Sequence, residues 1–171
     1  KQLTKQKKNY HHGELRTQLL EAVRYLIEEK GPDGFSVAEA CRMAGVSTAA
    51  PYKHFKDREE ILHAVILEAM HRMGAAMQAA ADAYPAGDPE RIVALGRSYI
   101  SFAKAEPGVF AAMFGAGNNH AEIPALAEEG QAKFAVVVKV VAEHMDRDMD
   151  DAEVTARAYA LWCAVHGHCF L

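Results

Sequence analysis

The chain has 171 residues, 50% of them hydrophobic and 25% charged, a composition typical of a globular protein with a substantial core. No apolar run is long enough to span a membrane and no signal peptide is visible; the three cysteines, at 41, 163 and 169, exclude a disulfide framework and indicate a reducing cytoplasm. Residues 1–60 carry eleven basic and nine acidic side chains, and residues 61–171 carry eight and fourteen, which together give the net charge of -4. A basic N-terminal end on an acidic body is the asymmetry expected of a nucleic-acid-binding head.

The first predicted helix covers residues 13–30, where apolar side chains recur at helical spacing. Gly31 and Pro32 end it. Ser36 followed by Glu39 predicts a capping box that begins a second helix at Val37. Gly45 can take the left-handed conformation that ends this helix.

A third helix is predicted from Ser47 or Thr48, either of which is a suitable N-cap. Phe55 would anchor it inward, with Tyr52 nearer its edge. Two short helices that meet at a glycine turn, the second bearing small and hydrogen-bonding side chains, predict a helix-turn-helix whose outer face enters the DNA major groove. The alternative is a pair of helices in any helical domain.

The predicted DNA contacts combine this face with the basic arm KQLTKQKKNYHHG. Thr48, Ala49, Pro51 and Lys53 are predicted to face bases, and Ser47, Tyr52, His54 and Arg58 to face phosphates. The remaining predicted DNA-binding residues are Lys7, Lys8, Tyr10, His11, His12, Ser36 and Lys56. For the arm, a solvated tail is the alternative.

The rest of the chain also has helical periodicity. Asp57 is expected to cap a long helix from Arg58 to Tyr84, which the segment Pro85–Pro89 ends. Further helices are predicted over residues 91–105, 109–114, 126–145 and 150–171, with a loop at 120–124. The predicted fold class is all-α, with a DNA-binding head at residues 1–56 and a connecting helix and C-terminal domain at 57–171.

Residues 10–63 resemble the DNA-binding head of the tetracycline-repressor family, on YHHGELR and on the run FSVAEACRMAGVSTAAPYKHFKDREEIL. Trp162 with His166-Gly167 resembles the Trp-His-Gly signature of one C-terminal branch. The resemblance implies an all-α homodimer with a head on each subunit and a ligand pocket in the body. Ala40-Cys41 stands where the family more often has Ile-Ala, and Pro51 where Leu or Val is common. Pro51 is interpreted as a groove-facing residue in the first turn of its helix.

An apolar cavity for a small effector is predicted in the C-terminal domain, with packed core as the alternative for each residue. Its predicted lining is Met70, Met73, Met77, Tyr99, Phe102, Phe110, Met113, Phe114, Trp162 and His166. The predicted dimer seam is formed by the apolar faces at 134–141 and 159–171.

No metal, cofactor or enzymatic activity is predicted. Cys163 and Cys169 would lie about 240° apart around a helix, and no nucleophile elbow occurs. The sequence therefore predicts a dimeric, ligand-responsive repressor that binds a palindromic DNA operator and is released by a mainly apolar effector. The alternative is a helical small-molecule-binding or enzyme-like protein whose head no longer binds DNA.

Overall fold

The computed structural model describes residues 12–115 and 122–171, and these residues form seven α-helices and no strand. The helices are α1 (His12–Lys30), α2 (Val37–Met43), α3 (Arg58–Asp82), α4 (Pro89–Ala105), α5 (Pro107–Phe114), α6 (Pro124–Met145) and α7 (Ala152–His168). A single 3-10 turn, Pro51–Lys53, lies between α2 and α3. The predicted all-α fold class is confirmed.

The chain divides into two compact units, residues 1–65 and 66–171. The boundary falls inside α3, whereas the sequence placed it after residue 56. Ile61, Leu62 and Val65, in the first turns of α3, are buried and belong to the first unit. The head is therefore larger than its helix-turn-helix segment.

Three helices begin earlier than their apolar patterns indicated, each with a proline at its first position: α4 at Pro89, α5 at Pro107 and α6 at Pro124. A proline is well suited to that position, because its missing N–H would have no partner within the helix. The last helix, α7, begins at Ala152 rather than at the predicted residue 150, and the Asp151 carboxylate caps it by accepting from the backbone N–H groups of Glu153 and Val154. This last helix ends at His168, three residues before the predicted end at 171.

The second helix begins at Val37 as predicted, but the capping box does not form. Ser36 occupies the N-cap position without a side-chain hydrogen bond to the helix, and Glu39 instead accepts from Lys30 Nζ at 2.7 and 2.8 Å. Lys30 is the last residue of α1, so this ion pair joins the end of α1 to α2. Because the Glu39 carboxylate is paired with Lys30, it does not accept from the Ser36 backbone N–H as a capping box requires.

The second unit is built around α4, α6 and α7, which contact one another, with α5 against α4. Its core contains fully buried valines, among them Val109, Val140, Val141 and Val154. The helices enclose apolar space on the side where α3 contributes Met70, Met73 and Met77. This arrangement positions the cavity described below.

Candidate functional site

The segment that the sequence predicted as a third helix is a series of tight turns. Ala50 N–H bonds to Ser47 O at 3.0 Å, Lys53 N–H to Ala50 O at 3.3 Å, and Phe55 N–H to Pro51 O at 3.0 Å. Pro51 has no N–H with which to bond back to Ser47, so the turns do not merge into one α-helix. Ala50 nevertheless has helical φ and ψ of -62° and -41°, and neither Ser47 nor Thr48 caps the 3-10 turn.

The outer surface of these turns presents three of the four side chains predicted to face bases. Thr48, Ala49 and Lys53 are exposed, and Tyr52 is 55% exposed. Phe55 is buried, which confirms its predicted role as the inward anchor. Pro51 is fully buried, so the expectation that it faces the groove is wrong. Pro51 and Phe55 are both buried, and the Phe55 N–H bonds to the Pro51 carbonyl oxygen, so the proline lies on the inward side with Phe55.

Arg58 was predicted to meet a phosphate, but its guanidinium is engaged within the head. It lies over the Phe35 ring at 4.0 Å from the centroid and donates to the carbonyl oxygens of Pro32 and Phe35. Its Nη1 also donates to Glu59 Oε1 at 2.9 Å. A guanidinium with these partners fastens the start of α3 to the turn before α2, and the predicted phosphate contact does not fit this arrangement.

The other predicted contacts fall into two groups. Ser36, Ser47, His54 and Lys56 are exposed on the described head. Lys7, Lys8, Tyr10 and His11 lie outside the described residues, as does the side chain of His12. The contacts proposed for the arm therefore stay predictions.

The second unit contains an apolar cavity of about 330 Å³, which we call chamber 1. Six of the predicted residues line it: Met70, Met73, Met77, Tyr99, Phe114 and Trp162. The other lining residues, which the prediction missed, are Gly130, Gln131, Lys133, Phe134, Val137 and Tyr159. Five of these missed residues lie on α6, where Lys133 stands directly before the apolar run 134–138; a lysine beside that run was the available signal.

Lys133 is the basic residue of the chamber 1 lining. Its Nζ lies 2.7 Å from Glu129 Oε2, and His71 Nε2 lies 3.1 Å from the other oxygen of Glu129. The bond from Lys133 lowers the pKa of the Glu129 carboxyl, so that carboxyl is ionised at neutral pH. Gly74 makes room for the lysine stem, because a Cβ there would lie 2.2 Å from Lys133 Cε.

A second cavity of about 320 Å³, chamber 2, adjoins the first. Met77, Tyr99, Val137 and Trp162 line both chambers and form the partition between them. Beyond the partition, chamber 2 is lined mainly by aliphatic side chains of α4, α6 and α7: Ile92, Val93, Leu95, Ile100, Val141, Leu161 and Val165, together with Gly96 and Arg97.

The partition is held by a buried polar contact. The Tyr99 hydroxyl and His166 Nδ1 share a hydrogen bond of 2.8 Å, and the His166 ring stacks on Trp162 with centroids 4.7 Å apart. Burial raises the pKa of Tyr99 and lowers that of His166, so both side chains are neutral at neutral pH. The stacked and bonded rings fix the orientation of Tyr99 and Trp162 at the junction of the chambers.

Four predicted lining residues do not line either chamber: Phe102, Phe110, Met113 and His166. Phe110 packs edge-on against Tyr99 at 5.6 Å and contacts Phe114 at 4.9 Å. Phe110 and Met113 are buried, and His166 supports the wall from behind. For Phe110 and Met113 the packed-core alternative fits their burial, since α5 turns Phe110 onto α4 rather than into the cavity.

The two segments of the predicted dimer seam, on α6 and on α7, differ in burial. On α6, Val137, Val138, Val140 and Val141 are buried within the chain, so this part of the predicted seam is core. On α7 only Val154 and Ala158 are buried, and Tyr159 is 58% exposed. Of the two predicted seam segments, the one on α7 is therefore the more exposed, and the dimer seam stays a prediction.

Family models match both units. Residues 19–65 match the model described as "Bacterial regulatory proteins, tetR family", and residues 92–171 match "Tetracyclin repressor-like, C-terminal domain". The chain belongs to the TetR family of transcriptional regulators. Membership makes it a ligand-responsive DNA-binding regulator and not an enzyme. No curated protein sequence matches this TetR-family chain significantly.

Solved structures with the same fold include a Rhodococcus sp. RHA1 protein of unknown function, 32% identical, with a TM-score of 0.78 over 96% of this chain and 86% of that one. A putative transcriptional regulator from Pseudomonas aeruginosa PAO1 is 20% identical, with a TM-score of 0.73 over 95% and 80% of the two chains. FadR from Bacillus subtilis, solved in complex with stearoyl-CoA, is 14% identical, with a TM-score of 0.73 over 90% and 84%. At these low identities, the similarity to the last two structures shows only that they share the fold of this TetR-family chain.

The described part of this TetR-family regulator offers little other candidate chemistry. Those residues contain no group of three or more His, Cys, Asp or Glu side chains able to hold a metal ion. Cys163 is exposed, whereas the Cys169 thiol donates to Val165 O at 3.3 Å. None of the described helices combines the length and apolarity needed to cross a bilayer.

Proposed function

We propose that this regulator is a repressor that binds a palindromic operator as a homodimer in the cytoplasm and is released by a small, mainly apolar effector. The observation that carries the proposal is chamber 1, an apolar cavity of about 330 Å³ walled partly by Met70, Met73 and Met77 of α3. A volume of this size suits a small-molecule ligand. Methionine side chains adapt readily to the shape of a bound molecule.

The link between effector and DNA is α3, which begins at Arg58 in the head and extends to Asp82 in the second unit. An effector that favours one placement of the Met70–Met77 segment changes the position of the head through this helix. The effector must bind one arrangement better than the other for the equilibrium to shift. FadR, which shares the fold, was solved with stearoyl-CoA, and this supports a ligand with a long apolar part.

The decisive experiment is a mobility-shift assay with the DNA upstream of the protein's own gene. A retarded band that disappears with specific competitor supports the regulator. Absence of binding to any upstream fragment would favour the alternative, a small-molecule-binding protein with a vestigial head. Addition of an effector should release the DNA, whereas tighter binding would indicate a co-repressor.

Lys53→Ala is expected to weaken operator binding by about 1 to 3 kcal/mol and to relax sequence preference, because Lys53 lies on the exposed face beside Thr48 and Ala49. Binding isotherms on the operator and on scrambled DNA measure both effects. Lys139→Ala, an exposed lysine of α6, is the matched control and should bind as the wild type does. Equal loss on every sequence would make Lys53 a phosphate contact and not a base contact.

Ala160→Glu is expected to weaken the homodimer by roughly tenfold or more, because it places a charge on the exposed face of α7 that we assign to the partner subunit. Sedimentation equilibrium at micromolar concentration measures the dissociation constant. Ala76→Glu, an exposed position on α3, is the matched control. A wild-type protein that sediments as a monomer would contradict the dimer itself.

A further inference from the structure

We infer that the effector is a straight-chain amphiphile with an anionic head, a carboxylic acid whose head binds Lys133 and whose chain passes from chamber 1 into chamber 2. This inference rests on the proposed function, since it names the ligand class of the same cavity. It depends on three features of the second unit: the position of one lysine, the shape of the two chambers, and the composition of their partition.

The first feature is the ammonium group of Lys133. Its stem lies against the α3 backbone at Gly74, which has no side chain to displace it. The side chain is 23% exposed, and among the described residues its one ion-pair partner is Glu129. An ammonium group has three hydrogens to donate, so a bond to Glu129 leaves capacity for a ligand oxygen.

The Glu129 carboxylate is not held by Lys133 alone, so the ammonium group remains able to bind an anion. Glu129 is shared between Lys133 and His71, each of which contacts a different carboxylate oxygen. Each oxygen of Glu129 therefore has a basic side chain of the protein as its neighbour. The remaining hydrogens of the Lys133 ammonium group can donate to a ligand carboxylate. The rest of the chamber 1 wall consists mainly of apolar side chains.

The second feature is the direction of the cavity. Along α6, Gly130 and Lys133 line chamber 1, Val137 lines both chambers, and Val141 lines chamber 2. The eleven helical steps from Gly130 to Val141 span about 16 Å at roughly 1.5 Å per residue. The lysine is thus near one end of an elongated space whose other end is mainly aliphatic, with Arg97 as the basic residue of its lining. A head at Lys133 and a chain directed toward Val141 fit this polarity.

The third feature is the partition. Met77, Tyr99, Val137 and Trp162 line both chambers, and the Tyr99 hydroxyl is already bonded to His166. A ligand chain that crosses the partition therefore contacts the rings of Tyr99 and Trp162 and the flexible side chain of Met77. The Tyr99 hydroxyl keeps its bond to His166, so the chain does not have to displace water from it. This favours a methylene chain over a polar one at the junction.

Trp162 provides the assay, because it is the one tryptophan of the chain and lines both chambers. Its fluorescence is titrated with dodecanoic acid, dodecanol and hexanoic acid, each below its critical micelle concentration. We expect dodecanoic acid to bind on the order of a thousandfold more tightly than hexanoic acid, from burial of its additional methylene groups. Dodecanol should bind roughly tenfold more weakly than the acid, because it lacks the charge-assisted bond.

Two variants test the two ends of the site. Lys133→Met should lower dodecanoic acid affinity roughly tenfold and leave dodecanol unchanged. The matched control is Lys139→Met, since Lys139 is likewise paired with a glutamate one helical turn away on α6, Glu143. The double variant Lys133→Met, Glu129→Gln removes both charges and should show the same loss if the single variant is unstable.

Gly96→Leu tests the other end of the site. The leucine side chain should fill chamber 2 and reduce the affinity for dodecanoic acid to that for hexanoic acid. The matched control is Gly167→Leu, whose side chain would lie in open space and should leave the affinity for dodecanoic acid unchanged.

Equal affinity for acid and alcohol, or unchanged acid binding by both Lys133 variants, would overturn the head-group assignment. Full dodecanoic acid affinity in Gly96→Leu would overturn the path into chamber 2. These outcomes are separate from the proposed function. If the acid binds as described but never alters operator binding, the effector role fails and the site stands; if DNA binding is intact and no acid binds, the ligand class is wrong and the regulator stands.

Discussion

Replacing Arg91 by methionine is expected to lower the free energy of unfolding of the second unit by about 3 kcal/mol, through loss of a buried ion pair. The Arg91 side chain is 7% exposed; it donates to Glu143 on α6 and lies 3.5 Å from Asp82 at the end of α3. Arg91 therefore joins three helices beside chamber 2. Its removal leaves Glu143 partly buried, with Lys139 3.8 Å away as the remaining cation.

Thermal and urea denaturation followed by circular dichroism measures this effect. Arg97→Met changes the same residue type at an exposed position of α4 and should cost little. The pair Arg91→Met, Glu143→Leu should recover most of the loss, because neither charge is then left without its partner. If the double variant is no more stable than the single one, the contribution of Arg91 comes from packing of its stem and not from the ion pair.

Gly34→Ala is expected to destabilise the head by about 3 kcal/mol and to abolish operator binding at concentrations where the wild type is saturated. A Cβ at Gly34 would lie 2.4 Å from the carbonyl oxygen of Lys30 and 2.9 Å from its Cβ. The first of these atoms is backbone, so the turn between α1 and α2 must move. The displacement carries α2 and the exposed turns that follow it away from their position on α1.

Gly45→Ala is the matched comparison. Gly45 has a φ of +67°, and a Cβ added there would meet no atom within 4 Å, so its alanine variant has only the strain of the left-handed conformation, about 1 kcal/mol. Denaturation midpoints and mobility shifts of the two variants separate a steric collision from a backbone preference. A smaller loss at Gly34 than at Gly45 would contradict the collision.

The fold was largely predictable because its signals are local. Apolar spacing located the helices, Asp57 caps α3 by accepting from Glu60 N–H at 2.9 Å as predicted, and Gly45 takes the left-handed conformation. The third helix was not predictable in detail, since a single missing N–H at Pro51 decides between an α-helix and separate turns.

The cavity was predictable in part. Methionines at 70, 73 and 77 share one side of a helix, so sequence spacing places them together. The contribution of α6 depends on how that helix packs against α7, which periodicity does not determine, and Lys133 was missed for this reason. Phe110 and Phe114 both lie on α5, yet Phe114 lines chamber 1 and Phe110 supports its wall; residue type alone does not distinguish the two.

The distribution of the three thiols has a practical consequence for measuring stability. Cys41 is fully buried in the head, whereas Cys163 is exposed in the second unit. An alkylating reagent reaches Cys163 in the native protein but reaches Cys41 only when the head opens, and the ratio of the two labelling rates gives the free energy of that opening. The unaltered chain thus reports the opening of its DNA-binding head by mass spectrometry, with and without ligand in the second unit.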